Sequence, residues 1–598
     1  MIKRLWHQLE AHEKRGVVLM LGMIFLSALS AVAMVGAFLP FLSVLAAPEM
    51  IQDRGLLASA YDLLGFSSRF DFLIALGFAA LFVILISGFF QIIQSYVVSN
   101  FTTLRVHSFS VRLLTTYLNQ PYEFFLGRHS GEMSTQILSE TQQAVDRFLR
   151  PSIDLIASSI TVLAILALVL LIEPEIAVFA LAAFGLAYGS IFLLSQKLLG
   201  RIGSERIVAN RARFKIIGEA FGGIKYLKLA GLEAETASRF SVPSEAYARS
   251  LALGAVLAST PHYAMQAFVF AGGIVFCLAL LDPEYLTTGK GLGALIPTIG
   301  LFAAAAVRIL PELGKAYQAL AALKTSGPAV NALCDDLEQQ RPVSPSLGQG
   351  AIALEKSLVL KNVTYRYPDS ANHGITDVSL SVRAGEIIGI VGTTGAGKTT
   401  LADVILGLLE PQSGSMFVDG REITGDNVRR WQKNIAYVPQ EIVLTDASVA
   451  RNIALGREER EIDLDRVRAV AEVACIDDFV AGLPDGYQTK LGERGNRLSG
   501  GQRQRLGLAR ALYGACDFIL LDEATSALDP LTESRVIGRI QTMTKRKTIL
   551  MIAHRLSTLR DCDRIIMLDR GSVLNAGHWD SLLKDQNFRK IVDASSIA

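Results

Sequence analysis

The 598-residue chain carries few charges for its size and almost no net charge. Only 19% of its residues are charged, whereas an average soluble protein has about 25%. Its 58 lysines and arginines nearly balance 56 aspartates and glutamates, which leaves a net charge of +2. Because a polyanion is bound by a basic surface, we do not expect a nucleic-acid partner.

Cysteine is scarce as well, and no two cysteines stand at the CxxC spacing of a metal or redox site. The five are Cys277, Cys334, Cys475, Cys516 and Cys562. This scatter argues against a disulfide framework and is typical of unpaired thiols in a reducing compartment.

Long apolar runs are what the chain does have, and they lie in its first half. A membrane crossing needs about 20 apolar residues. We predict six crossings, at residues 17–46, 72–99, 152–172, 176–196, 251–281 and 292–312. Lysine and arginine concentrate at the N-terminus and in 197–249, so the positive-inside rule places the N-terminus and the second half of the chain in the cytoplasm.

The segments between these spans predict further structure. Cytoplasmic stretches keep helical periodicity, and their tips at 119–127 and 218–230 contain helix breakers, Pro121 and the glycines 222–223. We expect these tips to dock on the second half of the chain. The outer segment 48–71 carries an apolar stripe, which fits either a helix on the membrane surface or a helix packed on the bundle.

Residues 392–399 read Gly-Thr-Thr-Gly-Ala-Gly-Lys-Thr and follow a strand-like run. This is the strand–loop–helix context of a phosphate-binding loop, whose backbone N–H groups wrap phosphates while Lys398 and Thr399 meet the phosphates and Mg²⁺. We therefore predict ATP and Mg²⁺ as cofactors. The predicted ATP ligands here are Gly392, Thr393, Thr394, Gly395, Ala396, Gly397, Lys398, Thr399 and Thr400.

A second strand-like run, residues 517–523, ends in the carboxylate pair Asp522-Glu523. Beside a phosphate-binding loop, an aspartate at this place holds the Mg²⁺ shell, and the next carboxylate orients or deprotonates the attacking water. The pair predicts ATP hydrolysis, with Asp522 and Thr399 as metal ligands and Glu523 as catalytic base.

The order of the remaining motifs identifies a family. Leu-Ser-Gly-Gly-Gln at 498–502 follows the phosphate-binding loop by about a hundred residues, and over essentially its full length the chain resembles an ABC transporter half-subunit of the exporter type. The resemblance implies a membrane α-helical bundle with long cytoplasmic extensions, followed by an α/β P-loop ATPase domain with a helical subdomain. The implied domains are 1–325, transmembrane; 326–354, linker; and 355–598, nucleotide-binding.

The same resemblance implies roles for further residues. Tyr367 would stack on adenine, with Tyr365 as the competing candidate. Gln440 would touch Mg²⁺ and communicate with the transmembrane part. Residues 489–495 are similar to the X-loop, Asp529 ends the D-loop 526–529, and His554 resembles the switch histidine near the γ-phosphate.

The signature sequence implies a partner subunit. Ser499, Gly500, Gly501 and Gln502 precede a helix, and in this family they cap the ATP that the partner's loop holds. A chain with one phosphate-binding loop, one signature and six spans must dimerise to work. Since no motif is degenerate, two copies would form two competent sites, which favours a homodimer over a heterodimer.

The sequence contains few residues that indicate which substrate is transported. Arg308 lies in the sixth span, where a cation is costly and indicates function. Facing the cavity, Arg308 would suit an anionic head group. The alternative is that its side chain snorkels to the cytoplasmic boundary or pairs with Glu312, one helical turn later. His262, after Pro261 in the fifth span, is a second candidate.

Within exporters, the outer segment and the Arg-x-x-Pro of the sixth span are similar to PglK-like bacterial flippases of lipid-linked oligosaccharides. This resemblance implies the bacterial inner membrane and a polyprenyl-diphosphate oligosaccharide as cargo. Lipid A-like lipids, drugs and peptides are the alternatives. A more distant alternative is an ATP-gated channel or a regulatory membrane ATPase.

Overall fold

A computed structural model of the chain describes residues 2–46, 55–128, 130–279, 292–339, 350–368, 373–492, 495–525, 527–543, 547–552 and 559–596. The chain divides into two compact units. The first comprises Met1–Gln120 and Gly127–Arg341, and the second comprises Pro121–Leu126 and Pro342–Ala598.

Long helices make up the first unit, and one short helix of the same part of the chain, α5, groups with the second. The helices are α1 (Ile2–Gln8), α2 (Ala11–Ala46), α3 (Gly55–Leu63), α4 (Arg69–Leu118), α5 (Tyr122–Leu126), α6 (Ser130–Thr135), α7 (Thr141–Ala144), α8 (Arg150–Ile172), α9 (Pro174–Gly222), α10 (Ile224–Ala230), α11 (Glu233–Ala279) and α12 (Leu292–Glu338). Two π-helical turns, Gln136–Glu140 and Val145–Leu149, flank α7.

Helices α2, α8 and α12 pack on one another through a core of small and branched side chains. Ala31 and Val35 of α2 meet Ile165 of α8 and Leu301 and Ala305 of α12. Small residues let helix backbones approach closely, which favours packing where the lipid supplies no hydrophobic driving force.

Three helical stretches among the described residues are long and apolar enough to cross a membrane: Ala11–Ala46, Arg69–Leu118 and Gly131–Ile172. They contain the first three predicted spans. The predicted spans 176–196, 251–281 and 292–312 fall in α9, α11 and α12, where many side chains, and residues 280–291 entirely, lie outside the described residues.

Within the predicted outer segment 48–71, the structure describes residues 55–71, and Gly55–Leu63 form α3, which packs on the bundle by one face. The Tyr61 ring meets the Phe72 ring edge-on, with centroids 5.3 Å apart, and Phe66 completes the aromatic cluster. Leu63 and Leu64 remain exposed. The sequence allowed a helix on the membrane surface or a helix packed on the bundle. The face of α3 that carries Tyr61 packs on the bundle.

The linker expected from residue 326 begins later, because α12 continues to Glu338. Val330, Leu333, Cys334 and Leu337 are buried, so an apolar stripe at helical spacing extends beyond the predicted boundary. Pro328 lies within this helix and does not end it, which corrects the prediction of a linker there.

A buried ion pair joins the first two long helices at the N-terminal end of α2. Glu13 is fully buried and pairs with Arg105 of α4, which is nearly buried itself. The Glu13 carboxylate also accepts hydrogen bonds from the Ser108 hydroxyl at 2.7 Å and from the Glu10 backbone N–H at 2.9 Å. The carboxylate is therefore well satisfied, as a buried charge must be.

The second unit contains two sheets. Their strands are β1 (Ser357–Arg366), β2 (His373–Arg383), β3 (Ile387–Gly392), β4 (Ser413–Val418), β5 (Arg421–Ile423), β6 (Ile435–Val438), β7 (Phe518–Asp522), β8 (Thr548–Ile552), β9 (Arg564–Asp569) and β10 (Ser572–Gly577). The larger sheet has the order β10-β9-β3-β8-β7-β6, parallel except for β10, and the smaller antiparallel sheet has the order β2-β1-β4-β5.

Helices complete this unit. They are α13 (Lys398–Ile405), α14 (Val428–Gln432), α15 (Val449–Ile453), α16 (Leu464–Val473), α17 (Asp477–Ala481), α18 (Gly500–Tyr513), α19 (Pro530–Met543), α20 (Trp579–Leu582) and α21 (Gln586–Ser596), with 3₁₀ turns at Glu459–Glu461 and Gly486–Gln488. Strands β7 and β8 are buried along their whole length, as expected for a parallel sheet covered on both faces. The carboxyl ends of β3, β6, β7 and β8 thus meet at one edge, where ligands of such sheets bind.

Candidate nucleotide site

The phosphate-binding loop connects β3 to α13 and needs its glycines for two reasons. Gly395 and Gly397 have φ of 82° and 96°, a left-handed conformation that side chains rarely adopt. A Cβ on Gly397 would lie 2.6 Å from the carbonyl oxygen of Gly374, and one on Gly392 would lie 2.4 Å from that of Leu568. The backbone of the loop therefore packs closely on the backbone of Gly374 and Leu568. It also lies close to any phosphate bound at the start of α13.

Lys398 opens α13 and is buried. Its Nζ donates to the carbonyl oxygens of Gly392 at 2.8 Å and Thr393 at 3.2 Å. Burial lowers the pKa of the ammonium, and the nearby carboxylates of Glu523 and Asp522 oppose that change. A cation is thus held beside two anions at the mouth of the loop, as a phosphate site requires.

The predicted carboxylate pair ends β7, next to the loop. Asp522 is buried, and Glu523 takes a left-handed φ of 49° while its N–H donates to the Ile552 carbonyl of β8 at 2.9 Å. Gln440 lies two residues beyond β6, the parallel neighbour of β7, and its amide donates to the Glu523 carboxylate at 2.6 Å. The structure therefore brings Gln440 and Glu523 together.

Sequence reasoning missed Asp403, which lies on α13 and is buried. Burial raises the pKa of its carboxyl to about 6, and the neighbouring Asp522 contributes to that rise. The sequence signal for Asp403 is a carboxylate in the otherwise apolar stretch that follows the phosphate-binding loop. Two carboxyls thus stand near one another under the phosphate-binding loop, an arrangement that a divalent cation relieves.

The two candidate adenine-stacking tyrosines differ in exposure. Tyr365 is 1% exposed and belongs to the core around β1, so its face is covered by protein. Tyr367 is only partly buried; its ring meets Tyr365 edge-on at 5.1 Å, and its hydroxyl lies 3.2 Å from the Thr400 hydroxyl. Of the pair, Tyr367 is the one with a face that an aromatic ligand can reach.

The signature forms a complete helix N-terminus. Ser499 caps α18, accepting a hydrogen bond from the Gln502 N–H at 3.2 Å, and the Gln502 side chain accepts one from the Ser499 N–H at 2.8 Å. The 14-residue helix that follows begins at the two glycines, Gly500 and Gly501. Its positive end and free backbone N–H groups suit an anion.

Two other predicted site residues have different outcomes. Asp529 is described: it is exposed, and its carboxylate accepts from the Thr532 N–H at 2.9 Å at the start of α19. His554 lies outside the described residues, as does Ser526 of the D-loop. Their predicted roles stay predictions.

The first predicted docking tip contains α5, which belongs by its contacts to the second unit. Burial raises the pKa of the Tyr122 phenol there, and the Asp403 carboxyl and the Tyr367 phenol raise it further. The tip therefore reaches the neighbourhood of the phosphate-binding helix. At the second tip, α9 ends at Gly222, and α10 leaves Tyr226 and Leu229 exposed.

The substrate candidates lie in the first unit. Arg308 donates to Glu312 at 2.9 Å, which is the pairing alternative. The Glu312 carboxylate also accepts from Lys315 at 3.1 Å and from the Ser158 hydroxyl at 2.8 Å. Two cations thus surround one buried carboxylate, and the Lys315 side chain is 59% exposed. The side chain of His262 lies outside the described residues.

The residues of the second unit fit ATP and Mg²⁺. The loop supplies backbone donors and a lysine for phosphates, Thr399 and Asp522 supply the hard oxygen ligands that Mg²⁺ prefers, and Gln440 supplies an amide. Glu523 lies beside them, hydrogen-bonded to Gln440. This donor set can bind a nucleoside triphosphate and activate a water molecule against it.

Comparison with protein families gives two matches. A family described as ABC transporter transmembrane region matches residues 20–282, and one described as ABC transporter matches residues 375–526. A solved structure of a bacterial Atm1-family ABC exporter with ATP bound covers 97% of this chain and 98% of its own, with a TM-score of 0.77 at 22% identity. The fold class predicted from the sequence is confirmed.

Two named relatives are similar to the chain, one over most of its length and one over less than half of it. The ATP-dependent lipid A-core flippase of Cupriavidus metallidurans is 30% identical over 508 residues, which cover 84% of this chain and 83% of that protein. A β-(1→2)glucan export ATP-binding/permease protein of Rhizobium meliloti is 42% identical over 238 residues, 40% of each chain. The finer resemblance to PglK-like flippases stays a prediction.

Proposed function

This chain belongs to the exporter-type ABC transporter family and couples ATP hydrolysis to transport across a membrane, and we propose that its cargo is a lipid A-like glycolipid. The observation that carries the cargo is the similarity to a lipid A-core flippase over 84% of the chain. The polyprenyl-diphosphate oligosaccharide that the sequence favoured becomes the second candidate, supported by the outer helix α3 between the first two spans.

Both cargoes join an apolar tail to an anionic head, and the first unit offers a place for such a head. Arg308 and Lys315 both pair with the carboxylate of Glu312, and the nearby Asp154 carboxylate, which also feels the charge of Lys315, pairs with Arg150. Three cations thus face two carboxylates, which leaves the cluster one excess positive charge. We propose that Lys315, as its exposed cation, meets the head group, while Arg308 stays paired with Glu312. His262 remains the second candidate for contact with the cargo.

In the second unit, the nucleotide residues take the roles for which their positions suit them. Lys398 and the backbone of residues 392–400 bind the phosphates, and Tyr367 stacks on the base. Bound Mg²⁺ would neutralise charge on the phosphates, held by Thr399, Asp522 and Gln440. Glu523 takes the proton of the attacking water, and Gln440 holds its carboxylate in place through the 2.6 Å hydrogen bond. His554 is assigned to the γ-phosphate from its motif.

The unit that acts is a homodimer in the bacterial inner membrane, with the N-terminus and the ATPase units in the cytoplasm. One phosphate-binding loop and one signature helix per chain leave each site incomplete without a second copy. Closure of two ATPase units on two ATP molecules is transmitted through helical tips such as α5, and the cavity then changes the side to which it opens.

The test is ATPase activity of the purified protein in lipid nanodiscs. Added lipid A should raise the turnover of ATP several-fold in a saturable way, and Glu523→Gln should abolish the stimulated and the basal rate. A matched phospholipid at the same concentration is the control. ATPase activity that does not respond to lipid A would refute this cargo.

A polyprenyl-diphosphate oligosaccharide in the same assay decides between the two candidates. Stimulation by this lipid and none by lipid A would show that the cargo is the lipid-linked oligosaccharide and not a lipid A-like glycolipid. Stimulation by drugs or peptides alone would point to those alternatives. Ion conductance of reconstituted protein without ATP turnover would indicate a channel in place of a transporter.

A further inference from the structure

Gln504 is a buried polar side chain whose role the motifs do not assign. It lies on α18, five residues after the capping Ser499, and is 5% exposed. Its amide oxygen accepts a hydrogen bond from the Ala527 N–H at 2.9 Å, and its amide nitrogen donates to the Glu523 carbonyl oxygen at 3.4 Å. One side chain therefore joins the signature helix to the catalytic carboxylate's own backbone and to the D-loop.

The start of the same helix touches the same loop. A Cβ on Gly501 would lie 3.0 Å from the Ala527 carbonyl oxygen, and one on Gly500 would lie 3.4 Å from the Ala527 methyl group. Both signature glycines thus pack closely on the D-loop. A shift of Ala527 along the helix would therefore disturb the hydrogen bond that its N–H donates to Gln504.

The far side of the loop is fastened as well. The Thr525 hydroxyl donates to the buried Glu533 carboxylate at 2.6 Å, and the Asp529 carboxylate accepts from the Thr532 N–H at 2.9 Å. Both partners belong to the first turn of α19. The described residues on both sides of position 526, Thr525 and Asp529, are thus hydrogen-bonded to this helix.

The two elements that Gln504 joins serve different nucleotides. In the proposed homodimer, Ser499 and its glycines face the ATP of the partner, whereas Glu523 acts on the ATP held by the phosphate-binding loop of its own chain. We propose that Gln504 is a positioning residue that transmits closure of the signature helix on the partner's nucleotide to Glu523, so that the two sites fire cooperatively. This inference rests on the proposed roles of Glu523 and Ser499.

The left-handed backbone of Glu523 strengthens the case. Its φ of 49° is unfavourable for a residue with a side chain, and neighbouring groups must hold it. Its N–H is held by the Ile552 carbonyl at 2.9 Å, and its own carbonyl is the acceptor for Gln504. Loss of the second hydrogen bond would remove one of the contacts that position this backbone and the catalytic carboxylate.

Two substitutions separate the hydrogen bonds from packing. Gln504→Met keeps the volume and removes both bonds; Gln504→Glu keeps an acceptor for Ala527 and removes the donor to Glu523. We expect Gln504→Met to lower kcat roughly 10- to 100-fold, as a displacement of about 1 Å at a catalytic group does. The KM for ATP should stay within about twofold, the Hill coefficient should fall toward one, and Gln504→Glu should lie between.

Gln432 offers a matched control in the same unit. Its amide nitrogen also donates to backbone carbonyl oxygens, those of Leu406 and Gly407, at 3.1 and 3.0 Å, and neither acceptor belongs to the carboxylate pair or the D-loop. Gln432→Met should reduce thermal stability at most and leave the Hill coefficient at its wild-type value.

The outcomes are distinct. A wild-type kcat and Hill coefficient in Gln504→Met would overturn the inference, as would an equal loss of both in Gln432→Met. Glu523→Gln, measured beside them, reports on the proposed function alone. If that variant turns over ATP normally, the assignment of the catalytic base fails; if it is inactive while Gln504→Met is normal, only the role of Gln504 fails.

Discussion

The two units of this chain hold buried charge in different ways. Among the described residues of the helical unit, the buried carboxylates of Glu13 and Glu312 are paired with basic side chains: Glu13 with Arg105, and Glu312 with Arg308 and Lys315. In the ATPase unit, Asp522 and Glu523 lie near Lys398, and the Asp403 carboxyl lies near Asp522, so three carboxyl groups are grouped around one lysine. This excess negative charge suits a bound cation. The first pattern stabilises a structure, and the second prepares a reaction.

The largest expected effect comes from the reactive pattern. Glu523→Gln should reduce ATP turnover by at least about 100-fold, because a general base contributes about 10²–10⁴-fold. ATP binding should persist, since the phosphate-binding loop is unchanged. Steady-state ATPase assays and equilibrium binding of a fluorescent ATP analogue measure the two quantities. Turnover near the wild-type rate would remove Glu523 from its role.

Breaking a neutralised pair should damage stability and spare the chemistry. Glu13→Gln leaves Arg105 buried without its partner, and loss of one member of a buried pair costs about 3–5 kcal/mol. We expect a marked drop in the thermal midpoint, measured in detergent, with ATPase per folded molecule unchanged. Glu245→Gln is the control: Glu245 pairs with Arg249 on the helix surface and its side chain is 62% exposed, so about 0.5 kcal/mol or less is expected. Equal midpoints for the two variants would contradict the assignment.

Lys315 tests whether the helical unit also prepares a charge for function. Lys315→Gln should raise the lipid A concentration for half-maximal ATPase stimulation roughly tenfold, since a hydrogen bond to a charged group contributes about 1.5–3 kcal/mol. The basal rate should not change. Lys324→Gln, at an exposed position of the same helix, is the matched control. An unchanged response in Lys315→Gln would leave the cluster with a structural role only.

The smallest expected effect concerns the pH dependence of stability. The pKa of Asp403 is raised to about 6 in the folded protein, above the ordinary value of about 3.9. Above pH 6 its charge therefore destabilises the fold; this cost shrinks as pH falls through 6 and vanishes below about 4.

Replacement of Asp403 by Asn should accordingly raise the free energy of unfolding of metal- and nucleotide-free protein by about 3 kcal/mol at pH 8, because a difference of one unit in pKa corresponds to about 1.4 kcal/mol. The gain should be smaller at pH 5, which thermal unfolding at the two pH values measures. Asp465→Asn, at an exposed position, should show no such dependence. A gain that grows toward pH 5 would have the wrong sign.

How far the sequence predicts each unit follows from the same difference. The phosphate-binding loop is contiguous, so its strand, its glycines and Lys398 were readable from residues 386–400. The choice of Tyr367 over Tyr365 needed the sheet, because the two alternate along one strand and only burial separates them. Gln504 escaped notice because its partners lie 19 and 23 residues away, across a fold that spacing does not reveal.

In the helical unit the contacts that matter join distant segments. The sequence predicts the pairing of Arg308 with Glu312 as one alternative, because the two residues lie one helical turn apart. It does not predict the pair of Glu13 and Arg105, because that pair depends on how α2 packs on α4. The end of α12 was misplaced because Pro328 suggested a break, although Val330, Leu333 and Leu337 carried the helical stripe onward.

The most direct test measures whether the ATPase unit drives movement of lipid through the helical unit. Fluorescent lipid A would be placed in the inner or outer leaflet of proteoliposomes, and its transfer followed with and without ATP. We expect transfer that needs ATP and ends in Glu523→Gln. Transfer that proceeds equally without ATP, or ATP hydrolysis with no transfer of lipid A, would contradict the proposed function.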